Sequence, residues 1–403
     1  MAVDVLRCRI CEAEYPARAV GTCERCFGPL EPVYAWEALS ISRERIEAGP
    51  RSLWRYADLL PAAAPEEATS PGWTPLVSVP RLASALGLGE LFLKLDSANP
   101  THSFKDRVVA VAAAKAQEFG LGTLSATSTG NLANAVAARA AALGMPAVIF
   151  CPAGLEPEKL AATTIYGATI YGVRGSYDDC SRLVSELAGD VDWAIVNVNL
   201  RSYYAEGSKT LAFEITEQLG WETPDAVVIP IGSGAMFTKV WQGFQQFERL
   251  GLSTGGRPKL IGAQAAGCAP VASAFAEERR VMPVRPNSVA SSIAIGNPAD
   301  GELAIATANA SGGAVYSVPE EEIGTNISLL AELGGIFGEG ATGVALGALR
   351  EAIRRGVVGE RDRVVLLVTG TGLKTPQIAT ASGAVVEIEP DVDVLLEELG
   401  VAV

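Results

Sequence analysis

The sequence has 403 residues, 49% hydrophobic and 19% charged, with 42 glycines. That is enough chain for two or three compact units and too apolar a composition for disorder. With 32 Lys and Arg against 46 Asp and Glu the net charge is −14. Nucleic acid and anionic membranes are excluded as partners on that ground, because the long-range field repels phosphates, and any anionic ligand needs a local basic cluster.

Residues 1–34 are dense in cysteine, lack an extended apolar period, and read as a small appended module. Their opening, MAVDVLRCRICEAEY, lacks the basic–apolar–small order of a secretory signal. No breaker-free apolar run reaches the ~18 residues of a membrane span. A cytoplasmic protein with its seven cysteines reduced is therefore expected. The sequons at Asn309 and Asn326 are then coincidental. Cys8-x-x-Cys11 and Cys23-x-x-Cys26 form two knuckles separated by eleven residues. Four thiolates so spaced close one tetrahedral site, so a structural zinc is expected, with Gly21 and Gly28 at tight turns. A nucleic-acid-reading ribbon would be basic, which this chain is not. Cys151, Cys180 and Cys268 fall in apolar runs and read as small buried hydrophobes.

Residues 35–99 read as linker and the start of a large domain, with short helical patterns at 35–39 and 43–47 and an Ala/Pro/Glu-rich stretch at 61–71. From Trp73 onward strand and helix alternate. Apolar strands are predicted at 91–95, 124–127, 146–150, 168–173, 193–198, 226–231, 259–264 and 363–368. Helices are predicted at 106–119, 132–143, 156–165 and 177–188. A further helix places Phe237, Val240, Trp241 and Phe244 at i, i+3, i+4 and i+7. Continuous apolar strands separated by helices indicate parallel sheets covered on both faces. The expected fold is α/β with two parallel or mostly parallel sheet domains: a smaller one inserted at 100–195 and a larger one built from the flanking segments up to 385. An acidic tail, 386–403, is read as a last strand and helix or a docked edge.

Three strand-to-helix junctions carry chemistry. In Asn99-Pro-Thr-His-Ser-Phe-Lys105-Asp-Arg107 a lysine opens a helix behind a run without long charged side chains. Desolvation and the positive helix end favour its neutral amine, which suits attack on an aldehyde. Ser128-Thr129-Gly130-Asn131 puts hydroxyls, an amide and free N–H groups at a second helix start, an anion cradle. Gly232-Ser233-Gly234-Ala235-Met236 does the same at a third, its glycines allowing close backbone approach to a phosphate. The third glycine of a dinucleotide fingerprint is missing, so a nicotinamide reading is poor.

Lys105 in SFKDR, the STGN turn, the glycine loop and Val368-Thr-Gly-Thr-Gly-Leu-Lys-Thr375 together resemble the threonine synthases. These are pyridoxal 5'-phosphate (PLP) enzymes of the tryptophan-synthase-β-like, fold type II family. The resemblance spans about 73–376 in motif order, and related proteins also carry an N-terminal cysteine ribbon. It implies that Lys105 forms the Schiff base with the cofactor and then acts as general acid and base. It implies that Asn131 meets the cofactor's phenolic oxygen, that Gly232, Ser233, Gly234, Ala235 and Met236 cradle its phosphate, and that Thr369 faces its pyridine nitrogen. Phe104 would help position the ring. The implied reaction turns O-phospho-L-homoserine and water into L-threonine and phosphate in a cytoplasmic homodimer.

The chain departs from the family pattern at several places. His102, the only histidine, stands where the family often has Gly, and Leu132 follows STGN where Thr is common. The usual NPxRxEGQKT becomes Asn199-Leu-Arg-Ser-Tyr-Tyr-Ala-Glu-Gly-Ser-Lys-Thr210, with Tyr204 near the place of the phosphate-gripping arginine. Arg201 and Lys209, joined by Lys94 and Arg107, are the basic candidates for holding substrate, with Ser128 and Thr129. Alternatives are β-replacement on O-phosphoserine, Ser/Thr dehydration, or a non-catalytic ribbon adaptor on an enzyme scaffold.

Overall fold

Three sheets organise the chain in the computed structural model, which describes residues 3–66, 69–155, 157–380, 383 and 385–400. The first is a three-stranded antiparallel ribbon, with β1 (Val5–Cys8) between β2 (Glu14–Pro16) and β3 (Leu30–Pro32). The largest sheet has six strands in the order β12-β11-β10-β13-β5-β4. Its strands are β4 (Leu76–Ser78), β5 (Glu90–Leu95), β10 (Ala226–Pro230), β11 (Lys259–Ala265), β12 (Ala314–Val318) and β13 (Arg363–Val368). All its pairings are parallel except β4 against β5, an antiparallel edge. Inserted in sequence between β5 and β10 lies a four-stranded parallel sheet, β8-β7-β6-β9, made of β6 (Thr123–Thr127), β7 (Ala147–Pro152), β8 (Thr169–Val173) and β9 (Trp193–Ile195).

The architecture is the α/β arrangement expected of two parallel sheets, and helices cover them because the central strands are apolar throughout. β10 is buried at all five positions, and Val364 to Val368 of β13 are buried as well. Strands β4 and β12 were not anticipated from the sequence, being short or interrupted by a serine. The predicted helix at 156–165 is found as Pro157–Thr164, and its proposed first residue, Glu156, lies outside the described residues. The tail forms a helix, Val392–Glu398, with no buried residue; among its described residues there is no strand, and 401–403 lie outside them.

The cysteine module is not a loose appendage. Leu6, Cys8, Cys23 and Leu30 share one apolar core with Val109 and Ala112 of the Lys105–Glu118 helix, and with Leu200 and Tyr203. Gly21, expected at a tight turn, is required for another reason: a Cβ there would lie 1.8 Å from the Val198 carbonyl oxygen. Among the described residues no helix is long and apolar enough to cross a membrane.

Candidate active site

The chemistry-bearing motifs all follow the carboxyl ends of parallel strands. In open parallel sheets that edge presents helix N-termini and loops to a ligand. β6 ends at Thr127 and runs through 128–130 into the Asn131–Ala142 helix. β10 runs through the glycine loop into the Ala235–Arg249 helix, and β13 ends one residue before Thr369.

Lys105 is the first residue of its helix. The turn before it is fixed by Asp106, whose carboxylate accepts from the Thr101 N–H at 2.8 Å and the Thr101 hydroxyl at 3.0 Å. Burial pushes the Asp106 carboxyl up to about 6, against those hydrogen bonds. The Phe104 N–H donates to the Thr369 carbonyl at 2.8 Å, and Ser103 bridges Gly370, so the lysine loop is pinned to the end of β13. The half-buried Lys105 Nζ donates to the Tyr204 hydroxyl at 3.2 Å and lies 5.4 Å from the Phe104 ring centre.

A polar frame joins the other predicted residues. The Asn131 Nδ2 donates to Glu339 Oε2 at 2.8 Å, and the Thr369 hydroxyl donates to Glu339 Oε1 at 2.9 Å. Lys374 Nζ donates to Asn131 Oδ1 at 2.8 Å and to the Thr101 carbonyl at 2.6 Å. Burial lowers the Lys374 pKa, opposed by the charges of Glu339 and Asp106. Glu339 was missed from the sequence. It lies 208 positions from Asn131, at the start of the Gly340–Arg354 helix, and only the fold reveals its reach.

In the glycine loop, Gly234 has φ +93° and a Cβ there would lie 2.7 Å from the Asp300 carbonyl oxygen, so both conformation and space require glycine. The Asp300 N–H donates to the Ser233 carbonyl at 2.9 Å. Among the described residues no protein acceptor takes the N–H groups of Gly232, Ser233 or Gly234. A row of unused amides at a helix start fits a phosphate. An amine, an amide and a buried hydroxyl held by a shared carboxylate fit the rest of PLP.

The basic candidates divide sharply. Arg201 is partly exposed and pairs with Asp300 at 2.7 Å, beside a cavity of about 20 Å³ also lined by Arg9, Ala235 and Lys239. Lys94, Arg107 and Lys209 are fully buried, and this corrects their expected role in holding substrate. Lys94 Nζ meets Glu214 at 2.6 Å and the Thr74 carbonyl at 2.7 Å. Arg107 grips Asp96 at 2.7 and 2.8 Å and also Glu214. Lys209 is sealed against Glu206, Tyr34 and the Leu59 carbonyl. Each cation is spent inside the protein, leaving no face for a ligand. Although buried, the Glu214 and Glu206 carboxyls are held down at about 2 by these cations.

Ser128 is partly exposed and its hydroxyl accepts from the Gly130 N–H at 3.2 Å, while Thr129 is exposed. His102 is exposed at φ +61°, with Nδ1 3.2 Å from the Ser97 carbonyl. It stands in the left-handed region that glycine occupies without strain. Leu132 is buried in the small-sheet core. The Sγ atoms of Cys8, Cys11, Cys23 and Cys26 lie within 4.8 Å of one another. Backbone N–H groups of Ile10 and Cys11 point at Cys8 Sγ, and that of Arg25 at Cys23 Sγ. Four converging sulfurs backed by amides fit a tetrahedral zinc.

Comparisons with known proteins place the chain in a family. The family described as pyridoxal-phosphate dependent enzyme matches residues 68–370. The threonine synthase of Methanosarcina acetivorans is 36% identical over 92% of this chain and 92% of its own length. That of Methanocaldococcus jannaschii is 35% identical over 96% of this chain and 98% of its own. Among solved structures, threonine deaminase isoform 2 from Solanum lycopersicum superposes with a TM-score of 0.64 at 21% identity, covering 76% of this chain and 83% of that one. Diaminopropionate ammonia lyase from Escherichia coli gives 0.64 at 20% identity, covering 84% and 91%. These structural likenesses show the fold.

Proposed function

The chain belongs to the pyridoxal-phosphate-dependent enzymes, and from that premise we propose that it is a threonine synthase, converting O-phospho-L-homoserine and water into L-threonine and phosphate. The observation that carries the reading is the 35–36% identity to threonine synthases over 92–96% of the chain.

When bound, PLP supplies an electron sink for the charge left as a proton leaves the substrate's α carbon. The chain supplies the rest. Lys105 holds the cofactor and, once released, moves protons at the substrate's α and β carbons. The backbone of Gly232, Ser233, Gly234, Ala235 and Met236 holds the cofactor phosphate at a helix start. Asn131 serves the phenolic oxygen and Thr369 the pyridine nitrogen, with Phe104 beside the ring. Glu339 ties Asn131 to Thr369 and so sets their spacing. Ser128 and Thr129 offer hydroxyls to the substrate, and Arg201 is the cation left to meet its phosphate. That phosphate departs from Cγ with the C–O electron pair, the two protons taken from Cα and Cβ are returned to Cγ and Cα, and water adds its hydroxyl at Cβ while its proton ends on the released phosphate.

A structural zinc on Cys8, Cys11, Cys23 and Cys26, a homodimer and a cytoplasmic setting complete the reading; four thiolates need a reducing compartment. The sister reactions on O-phosphoserine, serine or threonine share Lys105 and the glycine loop, but the threonine synthase relatives do not favour them. Phosphate release and amino-acid product from O-phosphohomoserine and O-phosphoserine, measured side by side, test the function. Threonine from the homoserine ester alone is the expected result; turnover of phosphoserine instead would transfer the function to β-replacement.

A further inference from the structure

The four-residue helix Arg201–Tyr204 touches the reacting lysine on one side and the cysteine module on the other. At its carboxyl end, the Tyr204 hydroxyl accepts from Lys105 Nζ at 3.2 Å. This is the side-chain hydrogen bond shown for that amine, and no carboxylate pairs with it among the described residues. On the other side, the Tyr203 hydroxyl donates to the Arg18 carbonyl at 3.1 Å and the Ser202 hydroxyl to the Val20 carbonyl at 3.2 Å. Gly21 packs against the Val198 carbonyl so closely that no side chain fits. Tyr203 is fully buried in the core that also holds Leu6, Cys8 and Cys23. A short helix clamped at its second and third residues has little freedom to move its fourth.

We propose that Tyr204 is a catalytic residue, its hydroxyl aiming the Lys105 amine, and that the cysteine module positions Tyr204 through the Arg201–Tyr204 helix. The proposal rests on the reading of Lys105 as the cofactor lysine. A flexible lysine has many rotamers, and a fixed acceptor at Nζ selects the few that reach a reacting carbon. A tyrosine hydroxyl accepts a hydrogen bond from the Lys105 amine without adding a second cation beside it. Ser202, Tyr203 and Gly21 touch no reacting atom and act as positioning residues.

The test uses the full chain stripped of cofactor. PLP is added, and the rate constant for appearance of the visible band is followed, with kcat and KM for O-phosphohomoserine measured on the reloaded protein. Tyr204→Phe removes one hydrogen bond to a charged amine and should slow band formation about tenfold, lowering kcat about as much with KM little changed. Tyr203→Phe and Gly21→Ala, both remote from the amine, should slow band formation in the same sense by a few-fold. In a Tyr204→Phe background neither should slow it further, because there is no hydroxyl left to position. The proposal is overturned if Tyr204→Phe leaves the rate constant and kcat at wild-type values. It is equally overturned if the losses multiply in the double variants, since the module would then act on stability alone. Should Gly21→Ala not fold, Tyr203→Phe, which deletes one oxygen, decides the matter. A visible band surviving in Lys105→Ala sinks the lysine reading itself. An inactive protein with normal band kinetics sinks only the choice of substrate.

Discussion

Lys94 and Lys105 stand eleven residues apart in one continuous segment, and their surroundings give them opposite work. Lys94 is fully buried on β5, its ammonium bonded to Glu214, the Thr74 carbonyl and Gln218. Lys105 opens a helix at the carboxyl edge of the sheets, half exposed, and among the described residues its Nζ bonds the Tyr204 hydroxyl alone. Burial lowers the Lys94 pKa and the Glu214 charge opposes that shift, so the pair is structural: breaking it strands a charge in a low dielectric. An amine facing a hydroxyl has no charged partner to strand when it turns to a ligand. Position in the chain does not separate the two lysines; the partner does.

The comparison breaks most readily at its chemical end. Lys105→Ala should remove turnover and the visible band, a loss of 10³-fold or more, while leaving the denaturation midpoint nearly in place. Retention of the band would mean that another amine holds the cofactor. The structural end should respond in reverse. Arg107→Ala leaves Asp96 and Glu214 sharing a buried site with one cation too few, and should cost about 3–5 kcal/mol in denaturant unfolding. Equal stability with lost affinity for substrate would restore Arg107 to the site and undo the distinction.

The sequence made the chemical lysine legible and the structural ones opaque, for physical reasons. Lys105, Asn131 and the Gly232–Met236 loop each follow an apolar strand and open a helix, a local pattern of short range. Thr369 sits in a glycine-flanked turn directly after β13. Glu214, which consumes both Lys94 and Arg107, lies 120 and 107 positions away from them, on the Lys209–Gln218 helix. Glu339 was hidden for the same reason. The cysteine spacing foretold a sulfur cluster but not that Leu6 and Cys8 share a core with Tyr203, since the knuckles' contacts beyond 34 leave no local signature.

Acid sharpens the contrast further. Glu206 and Glu214 sit at about 2, below the 4.5 of a free glutamate, so their contribution is complete above pH 4.5 and drains away as pH falls towards 2. Asp106 is raised to about 6 from 3.8 and works the other way, its burial costing stability as pH rises from about 4 to 6. Melting temperature should therefore fall steeply below pH 4.5, and Asp106→Asn should flatten the curve between pH 4 and 6 while leaving the acid limb. A melting curve flat down to pH 3 would show that the two glutamates are not held by their cations. The cysteine module gives a smaller and separable effect. Replacing Cys8 and Cys23 with Ser should empty the metal by plasma emission and lower the melting temperature before it lowers cofactor content; unchanged metal would dismiss the zinc.

Arg201 lies between the two lysines in character, which makes it the finest probe. Its guanidinium is partly exposed, yet it pairs with Asp300, and Asp300 also braces the glycine loop through the Ser233 carbonyl. Arg201→Ala should raise KM for the phosphorylated substrate by about tenfold, the worth of one charge-assisted contact. It also leaves the Asp300 carboxylate uncompensated beside the amides read as the phosphate cradle, so PLP should bind more weakly as well. Adding Asp300→Asn removes that charge while keeping the backbone brace. PLP affinity should then recover while KM stays high. If both recover together, Arg201 serves only to neutralise Asp300, as Lys94 serves Glu214, and the substrate's phosphate is held by the backbone and hydroxyls alone.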